Sequence, residues 1–78
     1  MEKKVRIYST PTCPYCIRVK QFLKDNNVMF EDVDVSSDEQ AAEEMIAKSG
    51  QMGVPVIAVD DEIIVGFDKE RIVRALGI

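Results

Sequence analysis

The residues of this chain best suited to chemistry are two cysteines three positions apart, in the stretch Cys13-Pro14-Tyr15-Cys16. The sequence holds no other cysteine and no histidine. Such a pair can be a static crosslink, part of a metal site, or a reversible redox couple. A structural zinc site wants four cysteine or histidine ligands, so one chain with this inventory cannot close one. An iron–sulfur cluster shared between two chains, or completed by an added thiol, stays open. So does an interaction protein whose cysteines are inert. A Cys–His hydrolase is excluded by the missing histidine, and any activation of a thiol must come from the backbone and its fields.

The elements around the pair offer that activation. Val5-Arg6-Ile7-Tyr8 alternates as a first strand does, and Ser9 to Thr12 is a turn cluster containing Pro11. Cys13 falls where a helix can begin, because Pro14 suits a first helical position that has no use for an N–H. Cys16, Val19 and Leu23 then recur at three and four, with Phe22 beside them, as a buried helix face requires. At a helix N-terminus, unpaired amides and the helix dipole favour a thiolate. In C-x-x-C motifs so placed, the thiol pKa falls from about 8.5 into a range of about 3.5 to 7.5. Cys13 is therefore the candidate nucleophile. Cys16, one turn inside, is the candidate that later attacks Cys13 and releases the product.

The remaining elements follow from periodicity and caps. Asp25-Asn26-Asn27 ends the first helix, and Val28–Val35 reads as a second strand. Ser36 with Glu39 and Ser37 with Gln40 form overlapping capping boxes for a second helix. Its apolar face is Ala42, Met45 and Ile46, and Gly50 is its stop. Val54–Val59 and Ile63–Val65 are strands joined through Asp60-Asp61-Glu62. Asp68 caps a last helix whose Ile72, Val73 and Leu76 face inward. The order βαβαββα opens with a right-handed parallel crossover and closes on an antiparallel hairpin, giving a mixed four-stranded sheet flanked by three helices.

Seventy-eight residues, 46% hydrophobic and 31% charged, suit one small α/β domain spanning 1–78, with a core only just large enough to hold it. No window approaches 18 apolar residues, so a spanning helix is not expected. The start, Met1 to Arg6, is charged and short of apolar residues, unlike a secretory leader. A cytoplasmic location follows as the expectation, and there a cysteine pair is usually catalytic or metal-binding. The net charge of −4 argues against nucleic-acid binding. The charge is uneven: Lys3, Lys4, Arg6, Arg18, Lys20 and Lys24 crowd the first third, whereas seven acidic residues lie between Glu31 and Glu44. That arrangement is either solvated surface or an attraction of the cysteine-bearing end for anions and acidic partners.

Cys-Pro-Tyr-Cys after a strand and at the start of a helix resembles the motif of glutaredoxins, in the thioredoxin superfamily. Gly53-Val54-Pro55 lies where that family has Thr-Val-Pro with a cis proline. Gly66-Phe67-Asp68 is similar to the glycine-containing segment before its last helix, and length and element order also fit a short bacterial glutaredoxin-like protein. The resemblance implies a thioredoxin-like fold and a monomeric thiol–disulfide oxidoreductase acting on protein disulfides or glutathione mixed disulfides through Cys13 and Cys16. It implies glutathione as co-substrate; the ligand shortage already sets the expectation of no metal, and no bound cofactor is expected. A glutathione or partner groove would comprise Thr12, Tyr15, Val54, Pro55, Gly66, Phe67 and Asp68. In it, the backbone of Val54 would pair with the ligand as an added strand. Asp68 and the amides near Phe67 would hold the γ-glutamyl end.

The sequence departs from the family at defined places. Thr10 stands three residues before Cys13, where a Lys or Arg usually pairs with a glutathione carboxylate. Gln51 stands where a basic residue is common, Gly53 replaces the threonine, and Val65-Gly66-Phe67-Asp68 replaces Gly-Gly-x-Asp. An exposed charge pair is worth only about 0 to 1 kcal/mol, and Arg18 and Lys20 are candidates to compensate. Short redoxins that thioredoxin reductase reduces, and that feed ribonucleotide reductase, share Gly-Phe before the last helix but usually lack Pro-Tyr. Both electron donors remain open.

Overall fold

A computed structural model describes residues 4–77. Met1, Glu2 and Lys3 of the charged N-terminal stretch lie outside the described residues. The elements run β1 (Val5–Ser9), α1 (Pro14–Asp25), β2 (Glu31–Asp34), α2 (Glu39–Ser49), β3 (Val56–Val59), β4 (Glu62–Val65) and α3 (Lys69–Leu76). The strands form one sheet in the order β2-β1-β3-β4. β1 is parallel to β2 and antiparallel to β3, and β3 is antiparallel to β4. This is the mixed four-stranded, thioredoxin-like arrangement that the βαβαββα order implies.

The period-two pattern sorts side chains onto two faces. Val5 and Ile7 of β1, Ile57 and Val59 of β3 and Ile64 of β4 pack against Val19 and Leu23 of α1 and Ile72 and Ala75 of α3. Tyr8, Val56 and Ala58 point the other way and meet Met45 of α2, with Val33, Val35 and Ile63 around them. All four residues of β3 are buried, as a central strand covered on both faces requires. α1 and α3 therefore share one face and α2 covers the other. No helix among the described residues is long and apolar enough to cross a membrane.

The structure corrects several boundaries. The second strand begins at Glu31, not Val28, because α1 closes with the Val28 amide donating to the Leu23 carbonyl at 2.9 Å. β3 begins at Val56, since Pro55 has no N–H for the ladder and follows a cis bond from Val54. The hairpin turn is only Asp60-Asp61; Glu62 already pairs with Val59. The capping boxes at Ser36 and Ser37 do not form. Asp38 caps α2 by accepting from the Ala41 amide at 3.2 Å, and the Asp34 carboxylate takes both the amide and the hydroxyl of Ser36. The face of α2 turned to the sheet carries Ala41 and Met45, four residues apart, while Ile46 is exposed. In α3, Ala75 takes the buried place expected of Val73, which is only half buried. Gly50, in the left-handed region at φ 74°, ends α2 as expected.

Candidate active site

Cys13 is the N-cap of α1, with extended backbone, and Pro14 follows at the first helical position. This geometry aims the Cys16 amide at the Cys13 sulfur, 3.4 Å away. Partial burial works to raise the Cys13 thiol. The Cys16 thiol, the amides of Cys16 and Tyr15 and the charge of Lys20 outweigh it, so the thiol lies below its ordinary value of 9.0. Cys16 is fully buried on the α1 face that meets the sheet. Burial first, then the neighbouring Cys13 sulfur, push its thiol up to about 11. Both cysteines are free thiols. One sulfur is thus half-exposed and primed to ionise, the other withdrawn and protonated. That is an arrangement suited to stepwise disulfide exchange.

The remainder of the site comes from distant parts of the chain. The Cys13 thiol points at the Val54 carbonyl, 4.0 Å away and 41 residues further on. Val54 is half-buried, Pro55 is buried, and the bond between them is cis, as the family resemblance implies. The Pro55 carbonyl accepts from the Gly66 amide at 2.8 Å, and Gly66 holds a left-handed φ of 82° that favours glycine. The Gly66 carbonyl in turn accepts from the Asp68 amide at 3.2 Å. Asp68 caps α3, its carboxylate accepting from the Arg71 amide at 3.2 Å. Phe67 packs on Phe22 of α1, ring centres 5.9 Å apart. Cys13, Val54, Pro55, Gly66, Phe67 and Asp68 are therefore linked across one end of the molecule. Tyr15 is 58% exposed and stacks under Arg18, whose guanidinium lies 5.6 Å from the ring centre. Thr12 stands exposed in the turn without a side-chain hydrogen bond among the described residues.

Two networks escaped the sequence reading. Lys20 lies one helical turn after Cys16, half-buried, with its ammonium 2.9 Å from the Asp32 carboxylate. Asp32 also accepts from the buried Ser9 hydroxyl at 2.8 Å. The four-residue spacing from Cys16 was the available signal for Lys20; nothing local marked Asp32. The second network orders the loop before Val54. The Gln51 side-chain amide donates to the Gly53 carbonyl at 2.9 Å and to the Ser49 hydroxyl at 3.3 Å, and its oxygen accepts from the Gly53 amide. A Cβ on residue 53 would sit 2.7 Å from that oxygen, so a side chain there would push the end of Gln51 aside and disturb this closure of the loop.

A small thioredoxin-like domain with paired thiols at a helix start defines a class of thiol–disulfide redox proteins. The glutaredoxin family model matches residues 5–64, and the chain belongs to the glutaredoxin family, whose members are thiol–disulfide oxidoreductases. The chain is 53% identical over 68 residues to a glutaredoxin-like 8.6 kDa protein of the rubredoxin operon of Clostridium pasteurianum. That alignment covers 87% of this chain and 91% of the relative. It is 41% identical over 73 residues to glutaredoxin 3 of Escherichia coli K12, covering 94% and 88% respectively. Among solved structures it is similar to the glutaredoxin-like protein NrdH-redoxin of Escherichia coli, which has a thioredoxin-like activity profile. The TM-score is 0.84, at 28% identity over 91% of this chain and 92% of that one.

Proposed function

We propose that Cys13 and Cys16 carry the oxidoreductase reaction, reducing protein disulfides or glutathione mixed disulfides. The opposed state of the two sulfurs supports this reading: one lowered and half-exposed, the other buried and raised to about 11. The Cys13 thiolate attacks one sulfur of a substrate disulfide. A Cys13–substrate disulfide forms, the substrate's S–S bond breaks, and the departing thiolate takes up a proton. Burial holds Cys16 protonated, but part of its raised value comes from the Cys13 sulfur itself. Once that sulfur is bound in the mixed disulfide, this contribution disappears and Cys16 ionises more readily. Cys16 then attacks Cys13 and releases the substrate as a thiol, leaving Cys13 and Cys16 joined. Two electrons from two molecules of glutathione restore the dithiol, producing glutathione disulfide. The protein acts as a monomer in the cytoplasm, and Thr12, Tyr15, Val54, Pro55, Gly66, Phe67 and Asp68 form its binding groove.

A second reading, in which thioredoxin reductase is the donor and ribonucleotide reductase or another dedicated partner the acceptor, has two observations in its favour. Gln51 is spent on Ser49 and Gly53, and Thr10 offers no charge, so neither position presents a cation to a glutathione carboxylate. The likeness to NrdH-redoxin points the same way. The deciding experiment offers the oxidised protein either glutathione with glutathione reductase or thioredoxin reductase with NADPH. Reduction by the first system supports the glutaredoxin reading, and reduction by the second alone replaces it. In either case Cys13→Ser is expected to abolish activity. Cys16→Ser is expected to keep activity only toward glutathione mixed disulfides. A Cys13→Ser protein that still reduced a small mixed disulfide would remove Cys13 as the nucleophile.

A further inference from the structure

The net charge of −4 conceals a polarity set by the fold. α1 carries Arg18, Lys20 and Lys24 with one carboxylate, Asp25; α3 carries Lys69, Arg71 and Arg74 with one, Glu70, besides its cap Asp68. α2, on the opposite face of the sheet, reverses this, with Glu39, Glu43 and Glu44 against Lys48. The two basic helices lie on the same face, and both start at the reactive end. Cys13 opens α1, and Asp68, tied through Gly66 to Pro55, opens α3.

Three cations in the first halves of these helices, Arg18, Lys69 and Arg71, are exposed and have no carboxylate partner among the described residues. They stand beside apolar surface. Arg18 covers the Tyr15 ring, and the Lys69 ammonium lies 5.4 Å from the centre of the Phe22 ring, which packs on Phe67. Ile17, four residues after Cys13 on the same side of the helix, is 57% exposed. Asp68 at the cap and Glu70, which pairs with Arg74, are the carboxylates of the α3 start. With Arg18 at the α1 start, positive charge still outnumbers negative at the end that carries Cys13.

We propose that the starts of α1 and α3 form a docking surface for an acidic polypeptide segment that carries the substrate disulfide. Its carboxylates meet Arg18, Lys69 and Arg71, and an apolar side chain beside its cysteine lies on Tyr15 and Ile17. The surface deepens the proposed function and rests on Cys13 as the nucleophile. Rim charges of this kind act mainly on the encounter rate and are screened by salt over about 10 Å at 0.1 M.

The test uses the Cys16→Ser protein and two synthetic peptides, each closed by one intramolecular disulfide and differing only in whether Asp or Lys flanks it. In this variant Cys13 attacks, the peptide's S–S bond breaks, and the peptide stays joined to Cys13 while its other sulfur becomes a thiol on the same peptide. Acid quench before that thiol recloses the ring gives the forward rate by intact mass. At low salt the acidic peptide is expected to react about tenfold faster than the basic one, and at 0.5 M salt the two rates converge. Arg18→Glu with Lys69→Glu inverts the order, and Arg71→Glu alone narrows it. The same reversal leaves the rate with uncharged hydroxyethyl disulfide within about twofold, since a neutral substrate feels no steering. A basic peptide that reacts faster, as the net charge alone would dictate, overturns the docking surface. So does a preference unchanged by reversal. Loss of reaction with hydroxyethyl disulfide in the unreversed protein would instead remove Cys13 as the nucleophile, and the surface with it.

Discussion

If the Cys16 thiol helps hold Cys13 in its ionised state, truncating Cys16 has a defined consequence. Partial burial opposes the Cys13 thiolate, and the Cys16 thiol leads the groups that support it, ahead of the amides of Cys16 and Tyr15 and the charge of Lys20. Cys16→Ala removes that donor and leaves the amide at 3.4 Å in place, whereas Cys16→Ser keeps a donor at the same position. A hydrogen bond to a charged group is worth about 1.5 to 3 kcal/mol, and half-exposed Cys13 belongs at the lower end. That corresponds to about tenfold less thiolate below the titration midpoint. The more basic sulfur is also more nucleophilic, by about threefold per pKa unit, so the net loss at pH values below both midpoints is about threefold. Iodoacetamide alkylation followed by intact mass across pH 4 to 9 measures both quantities. The alanine variant should show a midpoint displaced upward and the serine variant one near that of the parent protein. Coincident midpoints for the two variants, or a lower one for alanine, would refute the role assigned to the Cys16 thiol.

The raised Cys16 thiol makes stability depend on pH. Between about pH 9 and pH 11 the unfolded chain sheds this proton while the folded protein keeps it, so unfolding becomes easier as pH rises. The full contribution is present below pH 9, and roughly 2 to 3 kcal/mol is lost by pH 11. Urea titrations of the reduced protein should show that decline, and Cys16→Ala should flatten it. Gly53→Thr should displace the Gln51 amide, 2.7 Å from the new Cβ, at a cost of about 1 kcal/mol. In a Gln51→Ala background the same change should cost little, and an equal cost in both backgrounds would disprove the coupling. Asp68→Ala should lower stability by about 1 kcal/mol through the lost cap, and Asp68→Asn should restore most of it. If the Asp68 carboxylate also holds a glutathione amino group, the asparagine variant will still show a raised KM for glutathione. An unchanged KM would leave Asp68 as a cap alone.

Much of this protein is determined within short stretches. Pro14 after Cys13 starts a helix because proline lacks the N–H that its first position cannot use. The spacing of Cys16, Val19 and Leu23 buries one cysteine and leaves the other at the open end, so the unequal states of the two sulfurs were legible before any tertiary contact. Asp68 as a cap and Gly50 as a stop were equally local. Where local signals competed, the fold chose among them. Ser36 and Ser37 carried capping-box spacing, yet the Asp34 carboxylate claimed Ser36 and the helix began from Asp38. Ile46 and Val73 then lost their expected core places to Ala41 and Ala75. What no local pattern could decide is which distant atoms meet. The Val54 carbonyl reaches Cys13 across 41 residues, Asp32 joins Lys20 to Ser9, and α1 and α3 come to share one face. These depend on β3 lying antiparallel beside β1 and on the crossover that places β2 at its other edge. The unequal cysteine pair is thus a property of a four-residue stretch and one helix start, because caps and amides act over a single turn. Its surroundings, and the charge that greets a partner there, arise only when the sheet brings separate segments together.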